Sequence, residues 1–309
     1  MTGSDDAAAR VGDWDGIDVA ALLTVVRTAP DRFVGCFNQA NFYRSLFGGQ
    51  VLGQSLAAAA ATVERRALHS MHGYFLRPGA PDVPVEYAVE RTRDGRSFTT
   101  RRVIGTQSDS RSGTLRRETI FQMECSFHAE EPGWEHQAPM PDVPAPEDLP
   151  DLVDVLRAAR PALDPDVIRR IAAWQSVQTR PIAAGEAYLQ QPQSRRRAWF
   201  RVPSASGHDD PALHLRILAW MSDFSISGAA LVMHTTPLAG PHVQLASIDH
   251  AMWFHRPVRT DEWLLFETES PSASGAIGLS RGLIHDRAGR LVATVSQESL
   301  QRQIVGRSG

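Results

Sequence analysis

The chain contains no lysine, so all 32 of its basic residues are arginines. That absence removes whole mechanisms. A Schiff-base or pyridoxal enzyme needs a lysine amine, and a Walker-type phosphate loop needs the lysine that reaches the nucleotide phosphates. Cysteine is nearly as scarce. Cys36 and Cys125 stand far apart with no C-x-x-C pair, which excludes a disulfide framework and a thiolate zinc site and fits a reducing cytoplasm. Long apolar runs are missing too: the lowest-polarity stretch, residues 51–63, is too short to span a bilayer and carries Gln54. The start, MTGSDDAAARVGDWDG, lacks the basic residues and apolar core of a signal peptide, and the end, QIVGRSG, has no Ser-Lys-Leu address.

What remains is ordinary in size and charge. The 309 residues carry a net charge of −3, which leaves no basic footprint for nucleic acid. Hydrophobic residues make up 42% and charged residues 22%, enough to bury a sizeable core in one large or two medium domains.

Helical periodicity marks residues 17–26, and residues 46–63 (LFGGQVLGQSLAAAAATV) read as a second helix entered through a glycine turn. A helix so poor in charge must be buried. HSMHGYFLRP, VPVEYAVERTR, SFTTRRVIGTQ and ETIFQMECSFHAE are short aromatic and β-branched runs between turn signals, and so are expected to be antiparallel strands. Proline and acid then dominate residues 132–150, and residues 149–177 show helical patterning broken at Pro161 and Pro165.

The third region repeats the first. Phe75-Leu76-Arg77-Pro78 has its counterpart in Phe254-His255-Arg256-Pro257, an offset of 179, and the same offset lays GRSFTTRRVI over SGAIGLSRGL. Residues 224–233, FSISGAALVM, are the candidate for the second buried helix. The pattern predicts an α+β fold of two tandem units, each an antiparallel sheet around a central helix. The expected boundaries are a tail and helix over 1–30, a first unit over 31–131, a linker with a helical insert over 132–195 and a second unit over 196–309.

Several residues invite a chemical reading beside an ordinary one. Gly53-Gln54-Ser55-Leu56-Ala57 falls one residue short of a nucleophile elbow, and Ser55 lies inside the buried helix rather than at its start. Gly48 and Gly49 open that helix, where bare backbone N–H groups either polarise an oxygen or simply make a tight turn. His250 and His255 are five apart on a strand and point to opposite faces, and His69 and His72 are split in the same way, so no metal is expected. Asp223 stands before the expected second helix, where an N-cap is its ordinary role. Ser247 opens SIDHAMWF and Gln297 lies in the last strand, both ordinary polar positions on a sheet.

Together, FGGQVLGQSLAAAAATV, HSMHGYFLRPG, RDGRSFTTRRV, ASIDHAMWFHRP, DEWLLFETESPSASGA and SQESLQR resemble the acyl-CoA thioesterase II family, in family order from about Phe33 to Gln303. The resemblance implies two hotdog units joined by a helical linker, and hydrolysis of acyl-CoA to fatty acid and CoA with no metal or redox cofactor. It implies that an aspartate, a threonine and a glutamine activate water. These correspond to Asp223, Ser247 in place of the threonine, and Gln297. Serine keeps the hydroxyl and loses the methyl that fixes its rotamer.

On this reading Asp223 takes the water proton, while Ser247 and Gln297 hold the water in line. Backbone N–H groups near Gly48 and Gly49 or near Gly228 would meet the oxyanion. The acyl chain would lie along the buried helix, and Arg195, Arg196 and Arg197 would meet the CoA phosphates unless they are only a solvated cluster. Exposed sheet edges suggest a homo-oligomer. Three other readings compete: a non-catalytic acyl-CoA binder on the same scaffold, an enoyl-CoA hydratase using Asp249 and His250, and a serine hydrolase using Ser55.

Overall fold

The alanine-rich segment forms a helix, α2 (Gly48–Ala60), buried from Gly49 to Ala59. Small side chains let neighbouring elements approach on every side, and the polar ones are matched inside. Gln54 donates through Nε2 to the Leu22 carbonyl at 2.7 Å and accepts from the Tyr87 hydroxyl at 2.7 Å. Burying these amides is tolerable because each finds partners. The computed structural model describes residues 11–109, 116–158, 176–182, 195–232, 234 and 243–304.

Around α2 the first half contributes β1 (Val25–Ala29), β2 (Arg32–Gly35), β3 (Ala67–Phe75), β4 (Glu86–Asp94), β5 (Phe98–Asp109) and β6 (Arg116–His128). The four expected strands are β3 to β6. The expected helix over 17–26 is cut to one turn, α1 (Val19–Leu22), because the β-branched Val25 and Val26 already lie in β1. Between the halves, a short 3₁₀ turn (Pro146–Asp148) leads to α3 (Leu152–Ala158). The rest of the expected helical insert, including Pro161 and Pro165, lies outside the described residues.

The second half comprises β7 (Gln178–Pro181), β8 (Arg195–Arg201), α4 (Pro211–Ser222), α5 (Gly228–Val232), β9 (Val243–Ser247), β10 (Asp249–Phe254), β11 (Leu264–Ser274), β12 (Ile277–Asp286) and β13 (Leu291–Gln303). The offset of 179 carries Phe98, first in β5, onto Ile277, first in β12. One antiparallel sheet runs through both halves in the order β1-β2-β4-β5-β6-β3-β10-β13-β12-β11-β8-β7, with β9 also on β13. The halves are therefore mirrored about the β3–β10 junction: β4-β5-β6-β3 answers β11-β12-β13-β10.

The second helix differs from expectation. It is split in two, and its longer part, α4, precedes the segment read from sequence. Asp210 caps α4 by accepting from the Ala212 N–H at 2.9 Å, with Pro211 in the first turn, a strong helix start. Only α5 falls within the expected segment, whose Met233 lies outside the described residues. α4 packs on α2, and α5 lies over β11 and β12.

Candidate active site

Asp223 is not the N-cap that its sequence context suggests. It is the C-cap of α4, where the chain turns towards α5. The start of α2 packs against this end of α4. The Phe47 ring meets Trp220 and Phe224 edge-on, with centroids 6.2 and 6.3 Å apart. Phe47, the N-cap of α2, offers no side-chain acceptor, so the first N–H groups of the helix are open to another. One of them, at Gly49, donates to the Asp223 carboxylate.

The glycines make this approach possible. A Cβ on Gly48 would stand 2.7 Å from Asp223 Oδ2, and one on Gly49 would stand 2.4 Å from the Trp220 carbonyl. The helix entrance thus brings positive backbone dipoles to a carboxylate that is only 7% exposed. Burial nevertheless dominates: it raises the Asp223 pKa to about 7, against the lowering effect of its bonds from Gly49, Gln297 and Ser247.

Ser247 and Gln297 converge on the same carboxylate. Ser247 Oγ donates to Asp223 Oδ1 at 3.4 Å, and Gln297 Nε2 donates to Ser247 Oγ at 2.9 Å. Gln297 is fully buried on the inner face of β13. Behind it stands His250, with Nδ1 2.5 Å from Gln297 Oε1 and Nε2 2.9 Å from Ser222 Oγ. His250 is also fully buried, and burial lowers its pKa to about 4, so the ring is neutral.

A bulge aligns these groups. β9 and β10 both pair with β13, but four residue steps from Ser247 to Ala251 face three from Ser299 to Ser296. The extra residue breaks the period of two, so Ser247 and His250, at an odd spacing, both reach Gln297. Asp249 closes the bulge by accepting from the Glu298 N–H at 2.7 Å. An odd spacing on a regular strand splits faces, so the sequence alone does not connect His250 with Gln297. No motif signals the bulge; the polar pair Asp249 and His250 at the start of β10 is its one trace.

Gly48, Gly49, Asp223, Ser247 and Gln297 therefore form one site, whereas the other expected binding residues lie elsewhere. The Gly228 N–H is bonded to the Ser225 carbonyl at 3.2 Å within the α4–α5 link. Arg195 pairs across the strands with Glu269 at 3.0 Å, and Arg197 pairs with Glu267. Arg196 turns to the other face, next to Gly228 and a small recess that includes Ser225, Phe266 and Thr268. Ser55 is fully buried within α2, so no exposed nucleophile results. Among the described residues no cluster of three or more His, Cys, Asp or Glu side chains could hold a metal, and no helix is long and apolar enough to cross a membrane.

Known proteins resemble this chain over most of their length. Residues 40–128 match the acyl-CoA thioesterase N-terminal domain, and residues 139–301 match the acyl-CoA thioesterase C-terminal domain. Acyl-coenzyme A thioesterase 8 of Homo sapiens is 36% identical over 311 residues, covering 97% of this chain and 93% of the human one. Acyl-CoA thioesterase 2 of Haemophilus influenzae is 36% identical over 267 residues, covering 84% and 88%. The crystal structure of an acyl-CoA thioesterase II from Mycobacterium marinum superposes with a TM-score of 0.74 at 38% identity, covering 93% of this chain and 98% of that one. A hot dog fold protein from Alicyclobacillus acidocaldarius, at 19% identity and a TM-score of 0.73, shares the fold. With two tandem hotdog units and these relatives, the chain belongs to the acyl-CoA thioesterase II family.

Proposed function

We propose that the acyl-CoA thioester hydrolysis of this family runs in this chain by direct attack of water, with Asp223 as the general base. The observation that carries the reading is the convergence of Ser247, Gln297 and the Gly49 N–H on one buried carboxylate whose pKa is about 7. A base works best near the operating pH, and burial brings Asp223 there. Water enters beside the carboxylate and loses a proton to it while its oxygen bonds to the thioester carbonyl carbon. Ser247 and Gln297 fix its direction of approach. The tetrahedral oxyanion then collapses, expelling CoA thiolate and leaving the fatty acid.

The oxyanion is assigned to the Gly48 N–H at the start of α2, since the Gly49 N–H already serves Asp223. The alternative donor, Gly228, is already bonded to Ser225. Of the three arginines, Arg196 is assigned to the CoA phosphates, because it lies beside Gly228 at the recess lined by Ser225, Phe266 and Thr268. Arg196→Ala should raise KM for acyl-CoA several-fold and leave KM for the corresponding acyl-pantetheine, which lacks those phosphates, unchanged; an equal rise for both would remove the assignment. A homo-oligomer remains part of the proposal, with the short edge strands β1 and β7 as the places where copies would pair. Light scattering decides it.

The function is tested by following CoA release with a thiol reagent from short-, medium- and long-chain acyl-CoAs. Turnover of at least one class is expected. Tight binding of a non-hydrolysable acyl-CoA without CoA release would favour a binding protein instead. Crotonyl-CoA should give no 3-hydroxybutyryl product, because Asp249 is tied to the Glu298 N–H and both His250 nitrogens are engaged, leaving neither free for hydration.

A further inference from the structure

We propose that His250 is a positioning residue for this reaction: as the neutral tautomer with its proton on Nδ1, it holds the Gln297 amide with oxygen inward and NH₂ turned to Ser247 and Asp223. The inference rests on the hydrolytic reading of that site and extends it by one residue.

Every glutamine carries an ambiguity. Its amide presents either two donors or an acceptor, and nothing in the side chain itself decides which. At Gln297 the choice matters, because one end of the amide faces Ser247 and the carboxylate of Asp223. Turned with NH₂ outward, Gln297 donates to Ser247 Oγ, whose own proton then points to Asp223 Oδ1. Turned the other way, its carbonyl oxygen would oppose an ionised carboxylate, and Ser247 would be drawn towards the amide.

His250 decides between the two states. Its Nδ1 lies 2.5 Å from Gln297 Oε1, so a proton on Nδ1 accepts only the oxygen-inward state. A proton on Nε2 would instead make Nδ1 an acceptor and pull the amide NH₂ inward. The choice passes on to Ser222, whose single hydroxyl proton lies within reach of both His250 Nε2, at 2.9 Å, and the Ala219 carbonyl, at 2.8 Å. In the assigned state Ser222 donates to Nε2, Nδ1–H donates to Gln297, Gln297 donates to Ser247 and Ser247 donates to Asp223. Every bond in the series has one donor and one acceptor, and it ends on the only group that carries a negative charge. The series is sealed: Ser222, His250 and Gln297 are all fully buried, so water cannot reverse the amide cheaply.

Two measurements test this, and the first does not depend on activity. Nitrogen-15 NMR of the intact protein should show one imidazole, absent from the spectrum of His250→Asn, with protonated Nδ1 and bare Nε2 from pH 6 to 8. A proton on Nε2, or a charged ring at pH 7, would overturn the proposal even if the enzyme hydrolyses acyl-CoA normally. The second measurement uses whichever acyl-CoA the wild type cleaves. His250→Leu, which cannot donate, should lower kcat by about tenfold or more with KM changed less than about twofold. His250→Asn, whose amide can donate from nearly the Nδ1 position, should recover most of that loss. Equal losses in the two variants, or a His250→Leu enzyme with wild-type kcat, would reduce His250 to a packing residue. If the wild type cleaves no acyl-CoA, the hydrolytic reading fails while the NMR result still decides the tautomer.

Discussion

At the scale of single residues, the site depends on how close one carboxylate comes to one helix end. Gly48 is a glycine because a Cβ there would stand 2.7 Å from Asp223 Oδ2 and 3.0 Å from the Phe75 ring. Both are movable side chains, so Gly48→Ala should displace the carboxylate, lowering kcat at least tenfold while costing little stability. Gly49 faces the Trp220 carbonyl, which cannot swing aside. Gly49→Ala should therefore lower the melting temperature by several degrees, read by calorimetry, and equal melting temperatures for the two variants would contradict this division. The raised pKa of Asp223 has a thermodynamic counterpart. Its folded value of about 7 exceeds the ordinary aspartate value of 3.8, so the folded state binds the proton more tightly than the unfolded chain does. Stability from this group falls as pH rises from about 4 to about 7, and the full penalty applies above 7. Asp223→Asn should consequently melt higher than the wild type at pH 8, with the advantage shrinking at pH 4. The identities of Asp223, Ser247 and Gln297 were legible only through the family resemblance, since each has an ordinary role by residue type. Their convergence was not legible, because it depends on contacts between elements far apart in sequence.

At the scale of elements, the bulge between β9 and β10 turns a strand into part of a site. Local sequence pattern foretold β3 to β6, though not β1 and β2, because alternating apolar residues between turn signals report burial directly. It did not foretell the bulge, since one extra residue leaves composition untouched. It also missed α4, although Asp210-Pro211 is a sound helix start and Leu213, Ile217, Leu218 and Trp220 form a buried stripe. Asp249 holds the bulge through the Glu298 N–H. Asp249→Ala should leave that donor without its side-chain partner, let the register slip and misplace Ser247 relative to Gln297. We expect about a tenfold fall in kcat with the protein still folded by circular dichroism. Unchanged kcat would mean that the bulge stands without its carboxylate.

At the scale of the whole molecule, the site belongs to neither half alone. α2 supplies Gly48 and Gly49 from the first unit, and the second unit supplies Asp223, Ser247 and Gln297. Two features hold the parts in register: the continuous sheet across β3 and β10, in which Asp249 pairs with Tyr74 and Met252 with Met71, and the packing of α2 on α4. The duplication itself was visible in the sequence as the offset of 179, because Arg-Pro turns and strand starts recur at fixed spacing. The mirrored strand order that follows from it was not, since pairing between the units leaves no local mark.

The claim on which the rest depends is that Asp223 takes the proton from water. It is tested by CoA release as a function of pH for the wild type and for Asp223→Asn, which keeps the size of the side chain and removes its basicity. The wild type should show kcat/KM rising with pH through a single ionisation near 7, where burial sets the pKa of the carboxyl group. The variant should lose about a hundredfold or more in turnover and, with it, that ionisation. A variant that retains wild-type turnover and the same pH profile would move the base to another residue.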